Sequence, residues 1–261
     1  MVEASVQVFS LPKNGNSVEE YEDASAYSTH RFAIADGATE SSYAERWAQA
    51  LVKQFIGAPP KHIRVTPVPL EEWLGPLQKE WHKNIPWDRL PWYAEEKART
   101  GAFTTFLGVE ITPAPTKFKL LDLFRTRKGV RWHALAVGDS CFFHVRQNAL
   151  TKSFPFEKSE QFNSRPLLVS SNPARNAPVW KSIQTCEGDC KHDDLFVLAT
   201  DALAAWFLKD HESGNKPWTT LAQIKTAGDF VEFVECQRKK GMRNDDTTLV
   251  LCHWKDGDKK S

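Results

Sequence analysis

The sequence RFAIADG at residues 31–37 is a short apolar run that ends in a carboxylate, and the fold is inferred outward from it. Five residues of this kind are typical of a buried β-strand. Asp36 comes directly after the run, so its charge stands at the rim of the core, where ligands can reach it. The same arrangement recurs at three further places: Asp139 follows WHALAVG, Asp201 follows LFVLAT, and Asp245 with Asp246 precedes TTLVLCHW.

These carboxylates would converge on one point if the four strands are neighbours. Like charges at close range repel strongly in a partly dry site. Divalent cations that prefer oxygen ligands remove this repulsion, which favours Mg²⁺ or Mn²⁺ over zinc. A single aspartate of this kind is usually a cap or turn residue. Four of them together favour a metal site.

Composition and charge exclude several classes of function. The chain has 261 residues, of which 41% are hydrophobic and 26% charged, as in an ordinary globular protein. Its 34 basic and 33 acidic residues give a net charge of +1, so we expect no nucleic-acid or membrane partner. The N-terminus does not look like a signal peptide, and no run approaches the roughly 18 apolar residues of a membrane span. Five scattered cysteines suggest reduced thiols, and hence a cytoplasmic protein.

A single domain is expected over residues 1–254, followed by a charged tail at 255–261. Tyr43, Trp47, Leu51 and Phe55 fall at four-residue steps and predict an amphipathic helix, with Thr39, Ser41 or Ser42 as its N-cap. Residues 57–100 form a Pro- and Trp-rich insert whose apolar spacing over 70–81 predicts a helix, interrupted or kinked at Gly75-Pro76. Its tryptophans are interpreted as core, with a binding surface as the alternative.

Five short motifs occur in order along the chain: YEDA at 21–24, AIADG at 33–37, VGDS at 137–140, ATD at 199–201 and NDDTTLV at 244–250. Together they resemble the protein phosphatase 2C family, the metal-dependent serine/threonine phosphatases, in a divergent, bacterial-type form. The family elements are an acidic pair, an apolar-DG element, a GDS element, an S/T-D-G element and a terminal D-N-x-T strand. Thr104-Thr105, after Gly101, is similar to the family's G-T-T strand. The resemblance implies an α+β fold, a four-layer α-β-β-α sandwich of two mostly antiparallel sheets flanked by helices.

The resemblance also implies a site and a reaction. Two Mn²⁺ or Mg²⁺ ions, with a third and weaker one, would activate a water that hydrolyses phosphoserine or phosphothreonine without a phospho-enzyme. Asp36 and Asp201 would be the essential catalytic residues, while Asp23 would orient the ligands. The implied metal ligands are Glu22, Asp36, the carbonyl of Gly37, Asp139, Asp201 and Asp245. A phosphoprotein is the implied substrate, a cognate serine/threonine kinase a candidate partner, and a monomer the expected state.

The chain departs from the family pattern at several positions. Ala38 stands where some members carry a histidine general acid, Ala205 stands where an acid is common, and the S/T-D-G element ends in Ala202. Cys141 follows GDS in place of a common arginine. Ser17, Val18 and Glu19 occupy the segment that usually supplies a phosphate-binding arginine. Lys13, in the turn-rich segment at 12–16, is the candidate substitute, acting as a point charge on the phosphate.

Other interpretations remain to be weighed. The same fold with a damaged site would be a catalytically silent pseudophosphatase that binds a phosphoprotein or partner. Haloacid-dehalogenase-type phosphatases need a second Asp two residues after the first, and Ala38 occupies that position. Cys186, Cys190 and His192 suggest zinc only weakly, because the spacing is not C-x-x-C and no second pair exists. Residues 187–189 are predicted to form a turn between strands.

Overall fold

The computed structural model describes residues 3–60, 70–114, 129–162 and 165–255. The strands are β1 Glu3–Leu11, β2 Ala24–Tyr27, β3 Arg31–Ala35, β4 Phe103–Thr104, β5 Phe106–Pro113, β6 Val130–Val137, β7 Cys141–Arg146, β8 Ala149–Phe154, β9 Val169–Ser170, β10 Gln184–Cys190, β11 Asp194–Ala199 and β12 Thr247–Lys255. The helices are α1 Ala44–Gly57, α2 Leu70–Asn84, α3 Trp92–Thr100, α4 Asp201–Glu212, α5 Pro217–Leu221 and α6 Ala227–Lys239.

Two five-stranded sheets form the centre of the molecule. The first has the order β1-β12-β11-β7-β8 and the second the order β10-β6-β5-β3-β2. Every pairing in both sheets is antiparallel. One apolar core lies between the sheets, where Phe32, Leu107 and Trp132 of the second sheet meet Phe142 and Phe196 of the first.

Helices cover the outer faces of both sheets. Trp47, Leu51 and Phe55 of α1, which are fully buried, pack with α2 against the second sheet. Phe207 of α4 and Phe230 of α6 pack against the outer face of the first sheet. The layers are therefore helix, sheet, sheet and helix, which confirms the predicted α+β sandwich.

All the strands predicted from apolar runs are present, with ends that differ by at most two residues. The first turn of α1 differs from the prediction. Its N-cap is Tyr43, in the left-handed region at φ 60°, instead of Thr39, Ser41 or Ser42. The Ser41 hydroxyl is engaged elsewhere, because it donates to the Ala38 carbonyl and accepts the backbone N–H of Phe103.

The helix of the insert was predicted to be interrupted or kinked at Gly75-Pro76, and an interruption at this point is wrong. α2 continues through Pro76 to Asn84. Pro76 has no backbone N–H, so the carbonyl of Glu72, four residues earlier, lacks its helical hydrogen bond. Because Pro76 and Glu72 are both exposed, water can hydrogen-bond to that carbonyl instead. Trp73 and Trp81 lie on the buried face of α2, as core, whereas Trp92 is exposed. The rest of the insert at 61–69 lies outside the described residues.

The predicted turn at residues 187–189 is also wrong, because these residues lie within strand β10, which pairs with β6. Gly188 faces Trp132, and a Cβ built on Gly188 would lie 2.5 Å from the indole ring. The glycine therefore lets the ring lie across the strand, which the local sequence does not reveal.

None of the described helices is long and apolar enough to cross a membrane. The charged tail from residue 256 onward lies outside the described residues.

Candidate metal centre

Two of the predicted site residues follow strands of the second sheet. Asp36 comes directly after β3, and Asp139 lies two residues after β6, while both strands pair with β5. Thr105, just before β5, joins them. Its hydroxyl accepts the backbone N–H of Asp36 at 3.1 Å and shares a hydrogen bond of 2.8 Å with the hydroxyl of Ser140. The Thr104-Thr105 pair thus fixes the backbone beside both carboxylates.

The other two aspartates lie at the end of the first sheet. Asp201 begins α4 and is separated from the end of β11 by one residue, Thr200, and Asp245 lies just before β12, the neighbour of β11. Thr200 and Thr248 tie the strands together, since the Thr248 backbone N–H donates to the Thr200 hydroxyl at 2.9 Å. The backbone N–H of Ala202 donates to Oδ1 of Asp201, which fixes that carboxylate at the helix N-terminus.

Asp246 attaches the N-terminal segment to this edge of the molecule. Its Oδ1 accepts the backbone N–H of Lys13, and its Oδ2 accepts that of Glu22, both at 2.8 Å. Asp246 occupies the position of the asparagine in the D-N-x-T pattern. An asparagine side chain has only one oxygen, so it could not accept both backbone N–H groups on separate oxygens as this carboxylate does. A close approach at Gly37 completes the arrangement, because a Cβ there would lie 2.6 Å from the carbonyl oxygen of Glu22.

Lys13, the predicted phosphate-binding residue, lies beside a predicted metal ligand. Its Nζ donates to the Thr39 hydroxyl at 2.9 Å and lies 3.8 Å from Oε2 of Glu22. The side chain is 18% exposed, so it does not extend freely into solvent. Desolvation raises the pKa of Glu22, while the Thr39 hydroxyl and Lys13 act to lower it.

The carboxylates at this edge are strongly coupled. Burial raises the pKa of Asp36 well above its ordinary value, and four further aspartates add to the effect: Asp23, Asp201, Asp139 and Asp245. Burial, with the charge of Asp201, raises the pKa of Asp139 to about 7. Burial also raises the pKa of Asp201, although Arg243 opposes the rise. Asp36 therefore lies within electrostatic range of acids from both sheets.

Asp23, expected to orient the ligands, is buried against β12. Its Oδ2 accepts the Thr248 hydroxyl at 2.7 Å. Its Oδ1, like Oδ1 of Asp139, is buried and finds no hydrogen-bond partner among the described residues. Burial raises the pKa of Asp23 well above its ordinary range. Two buried carboxylate oxygens thus lack the partner that such groups normally have.

Arg243 is the main participant that sequence analysis missed. Its Nη1 donates to Oδ2 of Asp201 at 2.7 Å, and its Nη2 donates to Oδ2 of Asp245. One guanidinium therefore joins two of the predicted metal ligands. The available signal was an arginine two residues before Asp245, but nothing in the local sequence indicates Asp201 as its second partner.

A divalent cation suits the chemistry of these donors but not their present spacing. Every predicted donor is an oxygen, which suits Mn²⁺ or Mg²⁺. Oδ1 of Asp139 is buried without a hydrogen-bond partner among the described residues. The pKa values of Asp36 and Asp139 are raised, as expected for buried acids without a neutralising cation. As placed, however, no three His, Cys, Asp or Glu side chains in the described ranges stand close enough to hold an ion. The guanidinium of Arg243 already lies between Asp201 and Asp245. The donors therefore fit Mn²⁺ or Mg²⁺ by their chemistry, whereas their present positions do not form a coordination site.

Comparison with known proteins gives a consistent result at the level of the fold. No protein-family profile and no curated protein sequence matches the chain. The serine/threonine phosphatase PstP/Ppp of Mycobacterium tuberculosis is similar with a TM-score of 0.61 at 13% identity, over 98% of this chain and 100% of that chain. The catalytic domain of PstP in complex with 2 manganese ions is similar with a TM-score of 0.59 at 13% identity, over 98% of this chain and 100% of that chain.

A third solved structure, a bacterial serine phosphatase, is similar with a TM-score of 0.60 at 14% identity, over 99% of this chain and 100% of that chain. Identities this low establish a shared fold and nothing finer. The similarity covers nearly all of both chains, so it includes the helices as well as the two sheets. The chain therefore has the fold of the bacterial serine/threonine phosphatases, as its resemblance to the protein phosphatase 2C family predicts.

Proposed function

We propose that this chain is a metal-dependent phosphoprotein phosphatase that hydrolyses phosphoserine and phosphothreonine. The observation that carries the proposal is the gathering of Asp36, Asp139 and Asp201 from both sheets at one edge of a phosphatase fold. A cluster of acids that destabilises itself by repulsion is expected where a cation completes it. The 2 manganese ions bound by a protein of the same fold support the identity of the cation.

The chain's own residues would hold the cations and position the substrate. Asp36, Glu22 and the Gly37 carbonyl would hold one ion, and Asp36, Asp201 and Asp245 would hold the other. Asp139 would serve a third and weaker site. The chemistry supplied by bound ions is activation of a water for in-line attack on phosphorus and neutralisation of charge on the phosphoryl oxygens.

Substrate handling falls to residues around this edge. Lys13, beside Glu22, would place a point charge on a bound phosphoryl group. A cleft of about 770 Å³ opens beside Asp201, lined by Trp206, Phe162 and Met242 among others, and it has room for the polypeptide that flanks a phosphorylated residue. Because Ala38 cannot donate a proton, the leaving serine or threonine would take its proton from water. The proposed setting is a cytoplasmic monomer acting on a phosphoprotein, with a cognate serine/threonine kinase.

A silent phosphoprotein-binding pseudophosphatase is the second candidate. The contact of Arg243 with both Asp201 and Asp245 favours it, since those carboxylates are then already neutralised. Ala205 also favours the silent pseudophosphatase, because members of the family commonly have an acidic residue at this position.

A phosphatase assay on a panel of phosphoserine and phosphothreonine peptides separates the two candidates. Hydrolysis should appear with Mn²⁺ or Mg²⁺, disappear with EDTA and return on adding metal. Asp201→Asn should remove it, whereas the control Asp193→Asn, an exposed aspartate between β10 and β11, should not. Peptide binding without hydrolysis under every metal condition would favour the silent module. Hydrolysis that survives exhaustive chelation would refute the mechanism.

A further inference from the structure

The guanidinium of Arg243 occupies the position at which the family resemblance expects a cation. It contacts Oδ2 of Asp201 at 2.7 Å and also contacts Oδ2 of Asp245. We propose that Arg243 is an exchangeable internal counter-ion. It neutralises these two aspartates in the metal-free protein, yields them to an incoming divalent cation, and then contacts the phosphoryl group of the substrate. The inference rests on the proposed function for the identity of the cation and the substrate.

The arginine and the two aspartates differ in how far their side chains are exposed to solvent. The side chain of Arg243 is 57% exposed, while those of Asp201 and Asp245 are 7% and 23% exposed. The Asp201 carboxylate accepts the backbone N–H of Ala202, and the Asp245 carboxylate accepts the backbone N–H of Asp246 at 3.0 Å. The acids are therefore fixed in the protein, whereas the cation can leave for solvent.

Space is available for the released arginine. Arg243 lines the cleft of about 770 Å³ that also reaches Asp201, beside Met242, Trp206 and Lys240. A released side chain that stayed in this cleft would remain next to Asp201. There it would supply the bidentate phosphate contact that Ser17, Val18 and Glu19 cannot make. Lys13, on the Glu22 side, would remain a separate point charge.

A divalent ion has a physical advantage in this exchange. A planar guanidinium carries one positive charge and here reaches two carboxylates. A compact ion with two charges also draws on Asp36, whose negative charge acts on Arg243. With twice the charge, the ion would interact more strongly with all three carboxylates than the guanidinium does, but it must first displace Arg243 from Asp201 and Asp245. Arg243 should thus weaken metal binding without being a ligand.

Calorimetric titration of metal-free protein with Mn²⁺ tests the exchange directly, without any measurement of activity. The variants are Arg243→Gln, Arg243→Lys and a matched control, Arg99→Gln, which removes an exposed arginine that pairs with Glu95 on its own helix and lies over the ring of Trp87. Arg243→Gln should bind Mn²⁺ about tenfold more tightly at the site that Asp201 and Asp245 would form, the scale expected for losing a partly exposed charged contact. Arg243→Lys should fall between, because an ammonium cannot bridge both carboxylates. Arg99→Gln should match the parent.

A second titration, of Mn²⁺-loaded protein with inorganic phosphate, tests the role after release. Arg243→Gln should bind phosphate about tenfold more weakly than the parent, and Arg243→Lys should retain part of the affinity. Unchanged Mn²⁺ affinity in Arg243→Gln would overturn the exchange, and unchanged phosphate affinity would overturn the second role. If no variant binds Mn²⁺, both the inference and the metal-dependent function fail. If Mn²⁺ tightens as expected but no phosphopeptide is hydrolysed, the exchange stands and only the proposed activity fails.

Discussion

Replacing Asp139 by asparagine should stabilise the metal-free protein at pH 8, although the residue is buried at the candidate site. Asp139 is only 2% exposed, its Oδ1 finds no hydrogen-bond partner among the described residues, and its pKa is raised to about 7 by burial and by Asp201. In the folded, metal-free protein the charged carboxylate is therefore unfavourable. An isosteric amide removes that charge.

The magnitude follows from the pKa. A rise from 3.8 to about 7 corresponds to roughly 4 kcal/mol of lost stability when the group is fully ionised. The amide introduced by the substitution would leave polar atoms that need partners, at a cost of about 1–3 kcal/mol. The expected net gain at pH 8 is about 1–3 kcal/mol, or about 3–10 °C in Tm for a chain of this size.

The sign of the pH dependence is fixed by the same shift. Because the folded-state pKa lies above the unfolded value, the folded protein binds the proton more tightly between about pH 4 and pH 7. The contribution of Asp139 to stability is thus present at low pH and lost as the pH rises through about 7. The variant's advantage should be large at pH 8 and vanish near pH 5. His253, whose pKa is lowered by burial, acts in the opposite sense, so the parent and the variant must be compared at each pH.

Thermal unfolding of EDTA-treated protein, measured from pH 5 to pH 8.5, provides the test. The matched control is Asp194→Asn, another buried aspartate; although burial opposes it, hydrogen bonds from Arg146 and the nearby imidazole of His144 hold the pKa of Asp194 at about 2. That control should be destabilised at every pH in this range, because it loses a favourable ion pair. Destabilisation of Asp139→Asn at pH 8, or a gain that does not change with pH, would refute this account of the site.

Three further predictions concern activity. Asp36→Asn should abolish Mn²⁺-dependent hydrolysis, since it removes the charge that two ions would share; substantial residual turnover would contradict the assigned ligands. Lys13→Ala should lower kcat/KM on a phosphopeptide by about tenfold or more, while Lys13→Arg should retain more activity. An alanine variant equal to the parent would exclude Lys13 from phosphate binding. Iodoacetamide should leave hydrolysis intact, because the pKa of buried Cys141 is strongly raised by burial and no thiol takes part; rapid, complete inactivation would contradict this.

The parts of the fold that could be predicted are those with a local pattern. The run at residues 31–35 and the strand at 247–255 each combine apolar residues with a polar boundary, so their nature and ends follow from the sequence. The acids then fall at strand ends without any knowledge of the tertiary structure. Their convergence needed the order of the motifs, because no local pattern shows that β3 and β6 both pair with β5.

The failures occurred where a distant partner determines the local structure. Glu187-Gly188-Asp189 has the composition of a turn, but Trp132 of the neighbouring strand lies against Gly188 and the segment is a strand. Gly75-Pro76 has the composition of a helix break, but Pro76 lies on the exposed side of α2 and the helix continues through it. In each case the tertiary environment outweighs a residue preference of about 1–3 kcal/mol.

Arg243 was missed for the same reason, because its partner Asp201 is distant in sequence. Asp201 and Arg243 are 42 residues apart, so only the completed sandwich brings them together. An acidic cluster that lacked any cation would oppose its own assembly. This chain supplies its own cations, Arg243 at Asp201 and Asp245, and Lys13 beside Glu22. These contacts offset part of the repulsion among the acids without a metal, and under the proposed exchange a divalent cation would replace Arg243 at Asp201 and Asp245.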